Sequence, residues 1–154
     1  MSFSVDVNVL LYASDRSSPF ARQAAELLAT CAAGDDLFYL AWPTIMSYLR
    51  IATHRAVFTS PLSPDEAMQN ISALLALPHV RTLGEDEGFW DAYRTVSAGL
   101  PLRGNAVPDA HLAALLRQHG VIRLYTNDAD FSRFAFLTVI NPFTARAPSP
   151  PRTN

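Results

Sequence analysis

The chain has 154 residues, of which 49% are hydrophobic and 17% charged, and its formal net charge is −2. This length suits one domain with a sizeable core, and the composition excludes an intrinsically disordered chain. No apolar run reaches the roughly 18 to 20 residues that a membrane-spanning helix needs. All twelve basic residues are arginines, and because the net charge is slightly negative, any contact with a polyanion must be local.

The N-terminal segment and the cysteine content bear on location. The first residues contain no basic stretch ahead of an apolar run, so we do not expect a secretory signal peptide. Cys31 is the only cysteine, which excludes an internal disulfide. The expected compartment is therefore the reducing cytoplasm.

Short apolar strands alternate with helices along the chain. In chain order, we predict strand 3–7, helix 9–13, helix 19–33, strand 37–41, helix 43–53, helix 64–76, strand 80–83, helix 85–98, helix 108–119, strand 121–126 and strand 137–140. Residues 1–143 are expected to form the domain, and the Pro-rich residues 144–154 a flexible tail.

Several residues have the chemistry of helix ends. Asn8 is the expected N-cap of the first helix, and Pro19 is expected at the first position of the second, which Gly34 closes. Ser63, followed three residues later by Glu66, predicts a capping box.

The predicted strands are almost entirely apolar, which is typical of a parallel sheet covered on both faces. The predicted fold class is therefore α/β, a three-layer α/β/α sandwich with a central parallel sheet. In such sheets a ligand binds beyond the carboxyl ends of the strands, where the strand order reverses.

Acidic residues fall at those predicted carboxyl ends. Asp6 lies at the end of the first strand, where an acid is costly unless a cation or donor meets it. Asp6 as a helix cap is the alternative, but Asn8 is placed better for that task, so we favour a functional role. Asp128 and Asp130 directly follow strand 121–126, with simple turn chemistry as the alternative.

Asp109 is predicted in the first turn of helix 108–119. Its alternative role is a favourable interaction with the helix dipole. The helix leads into the strand that ends near Asp128, so Asp109 is expected at the same rim as Asp6 and Asp128. Three carboxylates there would repel one another unless a divalent cation joined them, and oxygen-only ligands suit Mg²⁺ or Mn²⁺. We expect phosphoryl chemistry at such a site, with His111 on a different helical face and outside the ligand set.

At this point the sequence resembles a known family. The segments DVNVLLYA, WPTIMSYLRIATHRAVF, RGNAVPDAHLAALLRQHG and TNDADFSRF, in this order and spacing, are similar to PIN-domain ribonucleases. More narrowly, they resemble VapC-type toxins of bacterial type II toxin–antitoxin pairs. The resemblance covers about residues 3 to 143.

The resemblance implies a PIN-like sandwich and an endoribonuclease that uses Mg²⁺, or Mn²⁺ in its place, to activate the attacking water. It also implies a cognate antitoxin that neutralises the activity, an RNA substrate and a homodimer. The family's acids match Asp6, Asp109 and Asp128 as metal-binding and catalytic residues, with Asp130 as a catalytic auxiliary.

The chain departs from the family at one position. The family's second acid normally precedes an arginine by three residues, and here that arginine is Arg50 and the position is Ser47. Ser47 brings a hydroxyl and no charge, so one tightly held ion is expected rather than two. The alternative function is a catalytically weakened PIN domain that binds an antitoxin or RNA.

Auxiliary roles are assigned to several polar residues. Asn8 and Ser47 are possible auxiliaries of the site, and Arg50 either covers apolar surface with its stem or pairs with site carboxylates or RNA phosphate. Arg103 and Asn105 are possible RNA contacts.

Other residues are expected to serve the fold. Trp42 and Trp90 are expected to be core or packing residues, and the acidic run 85–87 to favour the start of a helix. A phosphoacceptor signalling domain is the rival class, but it needs a lysine and this chain has none.

Overall fold

Five parallel strands form the centre of the molecule. The computed structural model describes residues 1–143. The strands are β1 (Ser2–Val5), β2 (Leu37–Ala41), β3 (Val80–Leu83), β4 (Arg123–Tyr125) and β5 (Thr138–Ile140). They lie in the order β3-β2-β1-β4-β5, and every neighbouring pair is parallel. The strand order reverses between β1 and β4, which makes the gap beyond their carboxyl ends the predicted place for a ligand.

Helices cover both faces of this sheet. They are α1 (Val7–Ser14), α2 (Ala21–Ala33), α3 (Trp42–Ala52), α4 (Pro64–Leu75), α5 (Phe89–Ser97), α6 (Ala106–Gln118) and a 3₁₀ helix (Ala129–Arg133). One core cluster joins the sheet to α1–α4 and a second joins it to α5, α6 and the 3₁₀ helix. Alternate residues of a strand serve opposite clusters, as Leu40 and Ala41 of β2 do. The predicted three-layer sandwich is confirmed.

The first strand is shorter than predicted, and the helix after it is capped differently. Strand β1 ends at Val5, Asp6 is the N-cap of α1, and Asn8 lies inside the helix. Asn8 as N-cap was therefore wrong. The Asp6 carboxylate accepts a hydrogen bond from the backbone N–H of Val7 (2.7 Å), which satisfies a donor that the helix itself leaves free.

Other helix ends follow the sequence more closely. The capping box of α4 is present with both reciprocal hydrogen bonds, and Gly34 is the C-cap of α2. Helix α2 begins two residues later than predicted, at Ala21, because Pro19 lies in the preceding turn. Helix α5 begins at Phe89, since Gly88 has a left-handed conformation (φ 84°) that interrupts any helix from Glu85.

The two tryptophans lie outside the core, which contradicts that part of the prediction. Trp42 is 43% exposed and Trp90 is 67% exposed. Trp90 stacks on Tyr93 of the same helix with nearly parallel rings, 5.6 Å between centroids. The predicted tail, residues 144–154, lies outside the described residues. No helix in the described part of the chain is long and apolar enough to cross a membrane.

Candidate functional site

Asp6 lies at the carboxyl end of the central strand, held by donors from both sides. Its Oδ1 atom accepts the Val7 N–H, and its Oδ2 atom accepts the Thr126 hydroxyl at 2.9 Å and the Asn8 side-chain amide at 3.2 Å. Burial raises the pKa of Asp6 above its ordinary value of 3.8. The bonds from Thr126 and Val7 oppose that rise, and the Asp128 carboxylate adds to it. Asp6 is therefore both a helix cap and a half-buried acid at the switch point.

Thr126 connects the end of β4 to Asp6. Its hydroxyl is buried, donates to Asp6 and accepts hydrogen bonds from the Asn8 side chain (3.1 Å) and the backbone N–H of Asp128 (2.9 Å). One donor and two acceptors are all that a hydroxyl offers. The loop that carries Asp128 is thus tied directly to the carboxylate of Asp6.

Asp128 and Asp130 form the far side of the site. Asp128 is the N-cap of the 3₁₀ helix, and its carboxylate accepts the backbone N–H of Asp130 at 2.8 Å. The Asp130 side chain is 70% exposed and pairs with Arg133 at 3.2 Å. The turn role that sequence offered as an alternative for Asp128 is present, and it fixes the position of the acid beside β4.

Asp109 is the acid whose charge the fold disfavours most clearly. It lies in the first turn of α6, as predicted. Burial, followed by repulsion from Asp128 and Asp6, raises the pKa of Asp109 from 3.8 to about 6, although Arg133 opposes the rise. Asp6 and Asp109 line one cleft, and the Thr126 hydroxyl joins the backbone N–H of Asp128 to the Asp6 carboxylate. The fold therefore brings Asp6, Asp109 and Asp128 to one rim.

A cleft of about 110 Å³ opens between α3 and α6 over this rim. The residues that line it are Asp6, Val7, Pro43, Thr44, Ser47, Pro108, Asp109, His111, Leu112 and Phe131. Ser47, which stands where the family's second acid is expected, faces the same space as Asp6 and Asp109. The departure from the family pattern is therefore a loss of charge inside the cleft.

His111 lines the cleft as well, although it follows Asp109 by two residues and so projects from a different part of the helix. The cleft runs along the side of α6 on which residues 108, 111 and 112 repeat at helical spacing. The Nε2 atom of His111 contacts the Glu85 carboxylate. A backbone hydrogen bond and then His111 lower the pKa of Glu85. Glu85 thus orients His111 and does not begin a helix.

The structure places the arginines at positions and with partners that differ from the sequence predictions. Arg50 is exposed in the last turn of α3 and does not line the cleft. Among residues 1–143 Arg50 makes no ion pair, whereas Arg133 pairs with Asp130, and the role of Arg50 stays a prediction. Arg103 and Asn105 are exposed before α6 and also lie outside the cleft lining, so their RNA contact stays a prediction.

The donor set fits a hard divalent cation. Asp6, Asp109 and Asp128 supply carboxylate oxygens, which are the ligands that Mg²⁺ and Mn²⁺ prefer. Among the charges that act on Asp109, only the Arg133 guanidinium lowers its pKa. Within residues 1–143, no three acidic, histidine or cysteine side chains already stand in ligand geometry. The Asp6 Oδ2 atom accepts two hydrogen bonds, whereas Oδ1 accepts one and keeps a lone pair for a cation.

Sequence reasoning missed Thr126 and the role of Asn8. Both are uncharged, and their importance depends on β1 and β4 being neighbours, which the chain order does not state. Larger cavities also lie elsewhere: an apolar groove of about 480 Å³ runs between α1, α2, α3 and α4. It contains none of the acids of the cleft.

A parallel sheet covered by helices, with an acidic cleft at its switch point, makes this an α/β protein with a ligand site at the carboxyl ends of its strands. Comparison with known proteins then shows the family. The PIN domain matches residues 4–137. The chain is 44% identical over 144 residues to Ribonuclease VapC48 from Mycobacterium tuberculosis, which covers 94% of this chain and 99% of that protein.

Solved structures agree on the fold. VapBC2 from Rickettsia felis, bound to a DNA fragment from its promoter, matches with a TM-score of 0.67 at 14% identity over 92% of this chain and 98% of that one. VapC20 from Mycobacterium tuberculosis, a toxin that cleaves the sarcin–ricin loop, matches with a TM-score of 0.63 at 16% identity, covering 84% of this chain and 92% of that one. The chain therefore belongs to the PIN-domain family and, within it, to the VapC group.

Proposed function

We propose that this protein is a divalent-metal-dependent endoribonuclease toxin that a cognate antitoxin neutralises. The observation that supports the proposal is the placement of Asp6 and Asp109 in one cleft at the switch point, with the backbone of Asp128 joined to Asp6 through the Thr126 hydroxyl. The relationship to Ribonuclease VapC48 supports RNA as the substrate.

The metal site would consist of Asp6, Asp109 and Asp128, with Asp130 as an auxiliary acid. Mg²⁺ is the proposed ion and Mn²⁺ its substitute, because the ligands are carboxylates. Bound there, the ion supplies a Lewis acid that neutralises charge on the phosphate and lowers the pKa of water.

The chain's own residues prepare this site. Thr126 and Asn8 hold the Asp6 carboxylate in place, and the backbone N–H of Asp130 holds that of Asp128. Arg133 limits the repulsion that Asp109 experiences. Water attacking the phosphodiester in line would leave a 5′-phosphate and a 3′-hydroxyl.

The test is cleavage of a panel of RNAs by the purified chain. We expect cleavage with Mg²⁺ or Mn²⁺, none with a chelator, and recovery when the ion is restored. End-group analysis should show 5′-phosphates. Cleavage that persists in chelator, or its complete absence across messenger, ribosomal and transfer RNA with both ions, contradicts the proposal.

The position of Ser47 favours a weakened enzyme or a binding module as the second candidate. Ser47→Asp adds a carboxylate to a cleft that already contains Asp6 and Asp109. We expect Mn²⁺ to bind at least tenfold more tightly, which corresponds to about 1.4 kcal/mol, as measured by calorimetry. Thr53→Asp, outside this cleft at the end of α3, is the matched control and should leave the affinity unchanged. Unaltered Mn²⁺ affinity in Ser47→Asp contradicts a metal site beside position 47.

The partner and compartment belong to the same proposal. The VapBC2 structure pairs a relative with its antitoxin. In this chain the apolar groove between α1 and α4 offers a surface for an amphipathic antitoxin helix. A homodimer and a cytoplasmic location complete the proposal, the latter in keeping with the free thiol of Cys31.

A further inference from the structure

A second cavity, of about 220 Å³, lies on the α5 side of α6, away from the acidic cleft. Two guanidinium groups line it, those of Arg117 and Arg133, together with Thr95 and the aromatic residues Phe134 and Phe136. In a chain with a net charge of −2, two arginines that share a cavity form a local positive site.

Arg133 connects this cavity to the cleft. Its Nε atom donates to the Asp130 carbonyl at 2.8 Å, and its Nη2 atom pairs with the Asp130 carboxylate at 3.2 Å. Phe131 of the same 3₁₀ helix lines the acidic cleft, so the cleft and the cavity lie on neighbouring parts of this helix. A guanidinium offers five N–H donors, so Arg133 keeps donors free for a further anion while Asp130 fixes its position.

Arg117 is placed to bind rather than to stabilise the core. It is exposed in the last turn of α6, and its guanidinium lies over the Phe136 ring, 5.6 Å from the centroid. Within residues 1–143 the ion pairs do not include Arg117, since the six that are present involve other cations. The ring restricts the guanidinium and leaves its N–H edge available, which is the arrangement that phosphate recognition favours.

The spacing suits a strand of RNA that extends beyond the cleaved bond. Arg117 follows Asp109 by eight residues on α6, which is about 12 Å along the helix axis. Arg133 lines the same cavity as Arg117 and contacts Asp130, which follows Asp128 by two residues. A polyanion that leaves the acidic cleft on this side therefore meets Arg133 first and Arg117 next.

We propose that Arg117 and Arg133 form a phosphate-binding subsite for the RNA backbone adjacent to the acidic cleft. The subsite rests on the proposed function, because it needs RNA in the cleft. It gives the protein a local basic contact that its overall charge does not supply.

The test measures RNA binding in an Asp6→Asn background, where cleavage does not interfere. A single-stranded RNA that the wild type cleaves is titrated by fluorescence anisotropy over a series of salt concentrations. Adding Arg117→Gln should raise Kd about threefold to tenfold and reduce the steepness of the log Kd against log salt plot by about 0.7. Arg117→Lys keeps the charge and should retain the steeper plot.

Arg22→Gln is the control, because it removes the same charge from an exposed position on α2, on the opposite face of the sheet. Shortening the RNA one nucleotide at a time from each end should abolish the Arg117→Gln effect on one side only. Equal effects of Arg22→Gln and Arg117→Gln, or an unchanged salt plot for Arg117→Gln, overturn the subsite while leaving the nuclease proposal intact. If neither the wild type nor Asp6→Asn binds any RNA, both proposals fall.

Discussion

Asp6→Asn is expected to reduce RNA cleavage by about 10²- to 10³-fold or more while leaving the fold unchanged. The variant removes the charge at the switch point. It keeps an N-cap for α1, because asparagine and aspartate cap helices equally well. The new amide nitrogen cannot accept the bonds that Asp6 Oδ2 takes from Thr126 and Asn8, so we expect a lower melting temperature with the same fold. Cleavage of an RNA substrate and thermal melting are the two measurements.

Asp15→Asn is the matched control for that variant. Asp15 is at the opposite end of the same helix, where it is the C-cap residue of α1 and bonds only to Ser17 through its side chain. The charge change is identical, but no site acid is touched, so cleavage should stay at the wild-type level. Near-normal cleavage by Asp6→Asn would refute the assignment of this carboxylate.

Asp109→Asn is expected to stabilise the protein in the absence of divalent ions, although it removes a proposed metal ligand. The folded chain holds the pKa of Asp109 at about 6, against an ordinary value of 3.8. Ionised Asp109 therefore costs free energy in the fold at neutral pH. Because the side chain is partly exposed, solvent screening limits this cost to on the order of 1–2 kcal/mol.

The sign of the pH dependence follows from the direction of that shift. A carboxyl group whose pKa is raised in the folded state binds protons more tightly there than in the unfolded chain. Its stabilising effect is complete below pH 4 and is lost as the pH rises through 6. The difference in free energy of unfolding between Asp109→Asn and the wild type should therefore be small at pH 4, grow up to pH 6 and remain constant above it.

Divalent ions should reverse the order of stability of Asp109→Asn and the wild type. Mg²⁺ or Mn²⁺ that binds the folded wild type raises its melting temperature by mass action, and Asp109→Asn should show little of that increase. The control is Asp91→Asn, which removes an exposed acid from the first turn of α5. It should melt at or slightly below the wild-type temperature and keep the response to the ion. An ion response in Asp109→Asn as large as that of the wild type contradicts its role as a ligand.

The architecture could be predicted because the hydrophobic pattern and the helix-capping residues indicate the same elements along most of the chain. Strand residues 37–41 and 80–83 were predicted to the residue, and the Ser63–Glu66 capping box is local chemistry that needs no tertiary information. The position of Asp109 also followed from sequence, since a helix that leads into a central parallel strand must begin at the rim where that strand ends.

What sequence could not supply were contacts between distant segments. Whether Asp6 or Asn8 caps α1 depends on Thr126, which lies more than a hundred residues away and draws the Asn8 amide toward β4. His111 could not be placed in the cleft from helical spacing relative to Asp109 alone, because the position of α3 decides where the cleft opens.

Asp6 and Asp128 lie just beyond the carboxyl ends of β1 and β4, and this location has a consequence for regulation. These strands are paired with each other, and β1 is the middle strand of five. Hydrogen-bonded segments at the centre of a sheet open only with the whole domain, whereas loops and edges fluctuate separately. We therefore expect the strand ends that hold Asp6 and Asp128 to resist local opening more than the edge strands do. A toxin with this arrangement is expected to need a second molecule to inhibit it, and loss of that molecule should restore its activity.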